Sequence, residues 1–374
     1  MNASLRNDKI SSFLAERIAA GDFPSAVYVV GVGGQAVFAD ALGTAVTGEA
    51  QRAATLETIY DLASLTKPLV TGLLMARRVE RGMIDLDDSL TRYLPEFDED
   101  EKRAISIRHL LAHTSGLAAW KPLYILTGGD RTRTLGIIAR QPLESAPGAH
   151  VRYSDLGFIT LGLLLERLEG ATLAELARAE IFEPLKLRKT FFNPEATMQT
   201  GVAACETGNL YEREMCRDEK AAQDFQGWRE QLIWGEVHDG NAHFLGGAAG
   251  HAGLFSNAWE TLRLASQFLA RHTELLAPNT CALFRTNLTA GMEEARSFAW
   301  QLAETKDSTA GASLSPDSFG HLGFTGTSCW IDPVRERTFI LLTNRTHARA
   351  LPFANINSVR REFHTLAASA LEAI

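Results

Sequence analysis

The sequence of 374 residues lacks a long apolar run. Its longest uncharged stretch, residues 240–259, contains five glycines and two histidines, which is typical of a packed loop and not of a membrane span. The first twenty residues mix charges of both signs along a helical pattern and contain no apolar core of a secretory signal. We therefore expect a cytoplasmic protein with no transmembrane segment and no membrane partner.

The sequence also lacks a surplus of positive charge. A net charge of -8 gives no basic surface of the kind that a phosphate backbone attracts, so nucleic acid is not an expected partner. Cysteine is scarce, and no two cysteines form a C-x-x-C pair. This pattern is typical of scattered reduced thiols and not of a disulfide framework; the cysteines are Cys205, Cys216, Cys281 and Cys329.

Several common signatures are missing from the sequence as well. There is no G-x-S-x-G, which argues against the nucleophile elbow of an α/β-hydrolase. Neither a Walker loop nor a complete G-x-G-x-x-G occurs, so the sequence gives no support for a nucleotide cofactor.

Strand-like patterns are present at both ends of the chain. Near the start, apolar residues recur at helical spacing, and two β-rich runs joined at Gly33 and Gly34 follow them. Near the end, two further strand-like runs are separated by Asp332 and Pro333, and a helix is predicted from about Asn355. Both ends are therefore expected to contribute strands to one sheet.

Helical patterns occupy the middle of the chain. The expected α+β fold has a sheet region formed by residues 1–60 and 285–374, with a mainly helical region, 61–284, inserted between its strands. A junction of this kind favours a cleft. The helices predicted within the inserted region are Leu69–Arg81, Ile107–His113, Leu156–Leu168, Leu173–Phe182 and Ala258–His272.

A serine and a lysine three residues apart open the first of these helices. Pro68 has no amide proton and is tolerated only in a first turn, so the helix begins near Ser64. On a helix Ser64 and Lys67 share a face, and the amine can take the hydroxyl proton if its pKa is lowered. The spacing indicates an activated nucleophile. The alternative, which a lone S-x-x-K match favours, is that Ser64 caps the helix and Lys67 points into solvent.

A tyrosine and a carboxylate lie two residues apart just before another predicted helix. The hydroxyl of Tyr153 can carry a proton when cations lower its pKa, and Asp155 can point the same way from a loop. The alternative is that Asp155, or Ser154, only caps the following helix. The motif alone leaves both interpretations open.

Three histidines are followed two residues later by glycine. Of His238, His251 and His321, only His321 opens a strand-like run. There Gly323 lets a substrate approach the backbone closely, and the amide of Phe324 can bind an oxyanion. The alternative is that His321 only packs at the start of a strand.

Three histidines and an aspartate lie in or just before the glycine-rich stretch, where a metal site could be sought. The spacings of His238, His243 and His251, together with Asp239, match no H-E-x-x-H or comparable pattern. We therefore expect no metal site and interpret these residues as loop-forming residues near the cleft.

Taken together and in order, these pieces resemble the serine β-lactamase and penicillin-binding superfamily, in the branch of class C β-lactamases, DD-peptidases and family VIII esterases. The resemblance spans nearly the whole chain and implies a mostly antiparallel sheet flanked by helices, plus an all-helical region. It also outweighs the capping alternative for Ser64. The stretches that carry it are IYDLASLTKPL, GMIDLDDSLTRYLPEF, ISIRHLLAHTSGL, PGAHVRYSDLGFITLGLLLERLEG, IFEPLKLRKTFF, GGAAGHAGLFSNAWETLRLASQFL and GHLGFTGTS.

The resemblance implies a role for each matching position. Ser64 matches the acylated nucleophile, Lys67 its partner amine and Tyr153 the tyrosine that shuttles protons. The backbone N–H groups of Ser64 and Phe324 match the oxyanion hole, which is expected to be the largest catalytic contribution. The substrate-binding strand keeps Gly323 but has Leu322 where the family usually has threonine.

Two further positions bear on substrate binding. Asp155 stands where the family usually has asparagine, and an ionised carboxylate cannot donate a hydrogen bond to a substrate carbonyl. Asp155 can instead pair with Lys67, which would keep the amine protonated and leave Tyr153 as the main base. His321, largely neutral near pH 7, is a weaker anchor for a substrate carboxylate than lysine.

The charged and aromatic segment 205–240 follows no regular pattern. In related proteins such a stretch lines the substrate cleft, so we expect a loop excursion with Trp228 and Trp234 as walls. The alternative is a solvated surface loop.

The expected function is that of a serine hydrolase that forms an acyl-serine intermediate, either an esterase or a D-amino-acid peptidase or amidase. One alternative is a true β-lactamase, disfavoured because an enzyme that defends the cell wall is normally exported. Another is a non-catalytic binding or assembly protein that has kept the fold. The expected partners are small-molecule ester, amide or peptide substrates, with no metal or organic cofactor, and the oligomeric state stays open.

Overall fold

A seven-stranded antiparallel sheet is the centre of the fold. The computed structural model describes residues 5–99 and 101–374; residues 1–4 of the predicted sheet region and Asp100 of the predicted helical region lie outside these ranges. The strands of this sheet are β1 Ser25–Val32, β2 Gln35–Val46, β3 Arg52–Ala53, β7 Gln301–Leu302, β8 Phe319–Leu322, β9 Ser328–Asp332 and β10 Arg337–Thr343. Their order is β3-β2-β1-β10-β9-β8-β7, so strands from the two ends of the chain meet where β1 pairs with β10.

A second, smaller sheet lies beside the turn that contains Ser64. It has the order β4-β6-β5 and consists of β4 Tyr60–Asp61, β5 Phe191–Phe192 and β6 Leu254–Ser256. The α-helices of the described residues are α1 Asp8–Ala19, α2 Leu73–Glu80, α3 Ile107–Leu111, α4 Leu123–Leu126, α5 Thr134–Arg140, α6 Asp155–Glu169, α7 Leu173–Ala177, α8 Leu210–Met215, α9 Gly240–Phe244, α10 Ala258–Ala265 and α11 Asn357–Glu372.

The large sheet is covered on both faces because its strands are apolar on both faces. On β1, Val27 and Val29 point into the core that also contains α2, α6 and α10. Their neighbours Tyr28 and Val30 point into a second core with α1 and α11. The alternation follows from the two-residue period of a strand. The predicted sheet with helices packed on it is confirmed.

The helices lie where the sequence predicts them, but their lengths differ from the predicted lengths. The predicted segment Leu69–Arg81 divides into a π-helical turn, Lys67–Gly72, and α2. Proline removes one backbone donor in this turn, which disfavours regular α-helical hydrogen bonding there. The predicted helix ending at His113 stops earlier, at Leu111, because His113 itself has a left-handed φ of 59°. In the described part of the chain, no helix has both the length and the apolar character that crossing a bilayer requires.

Candidate active site

Ser64 lies on a short turn that is held by a buried carboxylate. The 3-10 turn Ala63–Leu65 connects β4 to the π-helical turn, and Ala63 has a left-handed φ of 49°. The Asp61 carboxylate accepts hydrogen bonds from the backbone N–H groups of Ala63 and His238, each at 2.8 Å. Asp61 therefore supports the unusual backbone of this turn and connects it to the segment that contains His238.

Lys67 is completely buried beneath Ser64. Its ammonium Nζ donates to Ser64 Oγ at 3.0 Å and to the backbone carbonyl of His251 at 3.2 Å. It also forms an ion pair with Asp155 Oδ1 at 2.7 Å. The solvated position that served as the alternative for this lysine is therefore wrong.

Tyr153 completes the group around Ser64. Its hydroxyl interacts with the side chains of Ser64 and Lys67, and Lys67 Nζ lies 4.8 Å from the centre of its ring. The ring packs against His113 at a centroid distance of 4.5 Å. His113 was not singled out from the sequence, although its strained backbone and its contact with the tyrosine position the site.

Asp155 is free to pair with Lys67 because its neighbour provides the helix cap. The Ser154 side chain accepts from the backbone N–H of Gly157 at 3.1 Å and so caps α6. Asp155 occupies the first turn of α6, and its carboxylate turns toward the buried ammonium. Ser154 is therefore the helix cap, and Asp155 is the ion-pair partner of Lys67.

The charges around Ser64 determine which groups carry protons. Burial alone would lower the pKa of Lys67, but Asp155 and Tyr153 outweigh burial, so the pKa is raised above its ordinary value. Burial raises the pKa of Tyr153, even though Lys67 opposes this change. Near neutral pH the lysine is therefore an ammonium and the tyrosine a neutral phenol.

The end of β8 lies against the Ser64 turn through a glycine. A Cβ on Gly323 would lie 2.6 Å from the Leu62 carbonyl oxygen and 2.0 Å from Thr327 Oγ1, so a larger residue does not fit. Thr325 and Thr327 donate to the carbonyls of Asp61 and Leu62 at 2.8 and 2.9 Å. The glycine is thus needed for the contact between two backbone segments, in addition to any approach by a substrate.

Two backbone amides beside Ser64 are available to a ligand. Within residues 5–99 and 101–374, no hydrogen bond is formed by the N–H of Ser64 or by the N–H of Phe324. The threonine contacts described above hold these two segments side by side. Two paired N–H donors next to a hydroxyl are the arrangement that stabilises an oxyanion.

His321 faces the same space and is neutral. Burial, with the charges of Lys67 and Arg296, holds its pKa well below the usual range. Its Nδ1 lies 2.9 Å from the carbonyl oxygen of Leu322, which places the ring proton on Nδ1. The Nε2 atom is buried, accepts no hydrogen bond from the described residues and has a free lone pair.

These groups line one cavity of about 420 Å³. All seven residues singled out for catalysis and substrate binding belong to this neighbourhood, because Lys67 lies directly beneath it and the other six line it: Ser64, Tyr153, Asp155, His321, Gly323 and Phe324.

The segment 205–240 lines the cavity, but not through the residues that we expected. Trp234 donates its indole N–H to the Val202 carbonyl at 2.7 Å, and Trp228 packs against Tyr124. Neither tryptophan borders the cavity, so their prediction as walls is wrong. The segment contributes Tyr211, Glu212, Met215, His238 and Asp239 instead.

Three potential metal ligands lie together at the floor of this cavity. One ligand atom from each of Asp155, Asp239 and His251 lies within 4.8 Å of the others. Asp239 Oδ1 is 2.8 Å from His251 Nε2, and the Lys67 ammonium already binds Asp155. A divalent cation at this place would therefore face an ammonium ion.

Comparisons with known proteins agree with this geometry. A family model described as Beta-lactamase matches residues 10–359. A putative D-alanyl-D-alanine carboxypeptidase of Escherichia coli K12 is 31% identical over 373 residues, which cover 92% of this chain and 83% of the relative.

Two solved structures share the fold of the chain. EstCE1, a hydrolase with promiscuous acyltransferase activity, has a TM-score of 0.73 at 23% identity, over 96% of this chain and 97% of its own. A class C beta-lactamase from Rhodobacter sphaeroides has a TM-score of 0.73 at 17% identity, over 98% of this chain and 100% of its own.

Proposed function

The chain belongs to the beta-lactamase family and is a serine hydrolase, and on this basis we propose that Ser64 forms an acyl intermediate with small esters or amides. The observation that carries the proposal is the convergence of Ser64, Lys67 and Tyr153 beside two amides with free N–H groups. A hydroxyl, a proton carrier and an oxyanion hole are the parts that acyl transfer requires.

The charge states support a direct role for Tyr153 in proton transfer. Lys67 is an ammonium and donates to Ser64 Oγ, so it cannot take the serine proton. The Ser64 hydroxyl proton passes to Tyr153 Oη as Oγ attacks the carbonyl carbon, and the tyrosine gives its own proton to the leaving oxygen or nitrogen. The N–H groups of Ser64 and Phe324 stabilise the negative charge on the carbonyl oxygen.

The acyl group leaves by the same route in reverse. A water molecule attacks the ester carbonyl, its proton passes to Tyr153, and the tyrosine returns a proton to Ser64 Oγ. Lys67 remains an ammonium throughout and stabilises the negative charge that develops on the serine oxygen.

Esters and amides are favoured over β-lactams as substrates by two side chains. Neutral His321 offers a lone pair at Nε2 and so does not attract the carboxylate that a penicillin carries. The carboxylate of Asp155 borders the cavity and repels that same group. We therefore infer that β-lactams are acylated slowly by comparison with neutral esters.

The experiment is intact-mass spectrometry after exposure to a fluorophosphonate, together with hydrolysis of p-nitrophenyl acetate and butyrate. We expect one adduct on Ser64 and ester turnover, both lost in Ser64→Ala. Release of D-alanine from a D-Ala-D-Ala peptide would identify a peptidase rather than an esterase. A folded protein that gains no adduct would contradict the proposal and favour a non-catalytic binding protein.

A further inference from the structure

We propose that the cavity contains a subsite for a protonated amine on the acyl side of the substrate, formed by Asp155, Asp239 and Glu212. This inference rests on the proposed function, because it places the amine relative to the acyl carbon attached to Ser64. It narrows the substrate class to esters or amides of amino acids with a free amino group.

Asp239 supplies the first charge of the subsite. Its Oδ1 accepts the backbone N–H of Ala242 at 2.7 Å and contacts His251 Nε2 at 2.8 Å. Burial would raise the pKa of Asp239, but His251 and Lys67 hold it below the ordinary value. The side chain is 22% exposed and borders the cavity, so an ionised carboxylate is accessible to a ligand.

Asp155 supplies the second charge. Its side chain is 18% exposed and also borders the cavity, while its Oδ1 binds the Lys67 ammonium. The two carboxylates lie close together, since Asp155 and Asp239 have oxygens within 4.8 Å of one another. They carry two negative charges against the one positive charge of Lys67, and His251 donates a hydrogen bond to Asp239, so the space above them attracts a further cation.

Glu212 and an aromatic side chain form the rest of the wall. Glu212 accepts from the Tyr124 hydroxyl at 2.8 Å and from the backbone N–H of Gly240 at 2.6 Å. Burial and the charge of Asp239 raise its pKa to about 7. Trp120 borders the same cavity, and an indole face beside carboxylates is a favourable environment for an ammonium group.

A second, independent observation comes from His321, which borders the same cavity. His321 is 4% exposed, and its Nε2 lone pair has no hydrogen-bond partner in residues 5–99 and 101–374. A buried acceptor without a partner is costly unless a ligand supplies a donor. An ammonium or amide N–H satisfies it, whereas a carboxylate does not.

The cations of the cavity are engaged with other groups. Arg296 pairs with Glu294 at 2.7 Å, and Arg345 donates to the carbonyls of Phe324 and Ala354. Arg360 donates to the carbonyls of Gly323 and Thr327 at 2.7 and 3.0 Å. Arg345 and Arg360 border the Phe324 end, whereas the Arg296 guanidinium lies over the Tyr153 ring, 5.6 Å from its centre.

The geometry also determines where the amine lies on the substrate. A single ammonium, that of Lys67, contacts both Ser64 Oγ at 3.0 Å and Asp155 Oδ1 at 2.7 Å. The carboxylate is therefore close to the acyl carbon that Ser64 attacks. An α-amine, two bonds from that carbon, can reach it without stretching across the cavity.

The test compares the methyl esters of D- and L-alanine with methyl isobutyrate, in which a methyl group replaces the ammonium at nearly constant shape. Each kcat/KM is divided by the hydroxide-catalysed rate constant of the same ester, because the ammonium activates the carbonyl chemically. We expect a normalised preference of at least about tenfold for one alanine ester, from an ion pair with a partly desolvated carboxylate.

The variants Asp239→Asn and Asp218→Asn make the same change in charge. Asparagine still caps α9, so folding is expected to survive, and the normalised preference should fall at least about fivefold. Asp218 is exposed on the same segment and does not border the cavity, so its variant should keep the preference. Equal normalised rates for the charged and neutral esters in the wild type would overturn the subsite.

Two further measurements separate this inference from the proposed function. Calorimetric binding of alaninamide against isobutyramide is measured on Ser64→Ala, which cannot hydrolyse either amide, and we expect only the amine to bind measurably. Ester turnover that depends on Ser64, without any preference for the amine, would support the hydrolase and disprove the subsite.

All assays contain EDTA, so that metal ions do not contribute. A preference seen only when the chelator is left out would assign the carboxylates to a metal ion and overturn the proposal.

Discussion

The two walls of the cleft are built in different ways. The sheet wall, residues 321–324 at the end of β8, is set by strand register and by threonine contacts with the Ser64 turn. The loop wall, formed by Glu212, His238 and Asp239, comes from a long irregular segment. The sheet wall offers mostly backbone and a neutral ring, whereas the loop wall offers ionisable side chains.

The histidines of the two walls show what this difference means electrostatically. Burial and nearby cations hold the pKa of His321 well below its usual range. Burial would do the same to His238, but Glu206 and neighbouring carboxylates raise its pKa. The comparison suggests that the sheet wall positions the reacting carbonyl and that the loop wall selects the charge of the substrate.

Gly323→Ala tests the sheet wall and is expected to have the largest effect. The new Cβ would meet the Leu62 carbonyl oxygen at 2.6 Å, so the strand must move away from the Ser64 turn. This movement separates the N–H groups of Ser64 and Phe324, and a misplacement near 1 Å costs on the order of 100-fold in rate. We expect kcat for p-nitrophenyl acetate to fall by at least about that factor.

The control is Gly201→Ala, since a Cβ there meets nothing within 4 Å and the backbone needs no left-handed φ. This variant should retain wild-type kcat and thermal stability. If Gly323→Ala also kept wild-type kcat, the dependence of the oxyanion hole on this close contact would be disproved.

Asp155→Asn changes the residue between the two walls and is expected to have an intermediate effect. It removes the charge that raises the pKa of Lys67 and leaves burial, which lowers that pKa. A neutral amine should then appear at lower pH than in the wild type, and the stabilisation that the ammonium gives to the serine oxygen is lost with it. We expect the falling limb of kcat/KM against pH to move to lower pH, and acylation by a chromogenic cephalosporin to increase about tenfold, because the asparagine amide can donate a hydrogen bond to a substrate carbonyl.

Asp155→Ala separates the charge from the amide group. It should move the pH limb in the same direction, but without the gain toward the cephalosporin, because alanine cannot donate to a substrate carbonyl. An unchanged pH limb in both variants would mean that Asp155 does not control the protonation of Lys67.

The sequence predicted the sheet wall better than the loop wall, for a physical reason. Ser64 and Lys67 lie where a helical segment begins, and proline placement reveals such a position. His321 was expected to open a strand, but it lies near the end of β8, which begins at Phe319. The terminal helices and α6 follow from the same kind of pattern. The helix predicted near the start of the chain is confirmed as α1, Asp8–Ala19.

The loop wall could not be derived in the same way. Glu212 and Asp239 are brought to Asp155 by irregular backbone, whose course depends on long-range contacts such as that of Asp61 with the His238 amide. The two tryptophans predicted as walls pack in separate hydrophobic clusters away from the cavity. A hydrophobic pattern records which residues are buried, but it does not record which cavity they border.

The titration of the two histidines is the smallest effect and the most direct test of the comparison. In a pH series of histidine-ring NMR spectra, His238 should titrate above the ordinary range, whereas His321 should stay neutral down to pH values well below it. The folded pKa of His238 is raised, so its contribution to stability is complete below the unfolded pKa and disappears as pH rises through the folded pKa.

The contribution of His321 to stability depends on pH in the opposite direction, because the pKa of its ring is lowered in the folded protein. Below about pH 6.5 the His321 ring is protonated in the unfolded chain but stays neutral in the folded protein. The free energy of unfolding therefore decreases as pH falls, with a slope of up to about 1.4 kcal/mol per pH unit. Other buried histidines add slopes of the same sign, so each site is measured as the wild type minus His321→Gln or His238→Gln in urea unfolding at several pH values. If the two differences in the free energy of unfolding changed with pH in the same direction, the walls would not differ in charge. The separate roles assigned to the two walls would then be disproved.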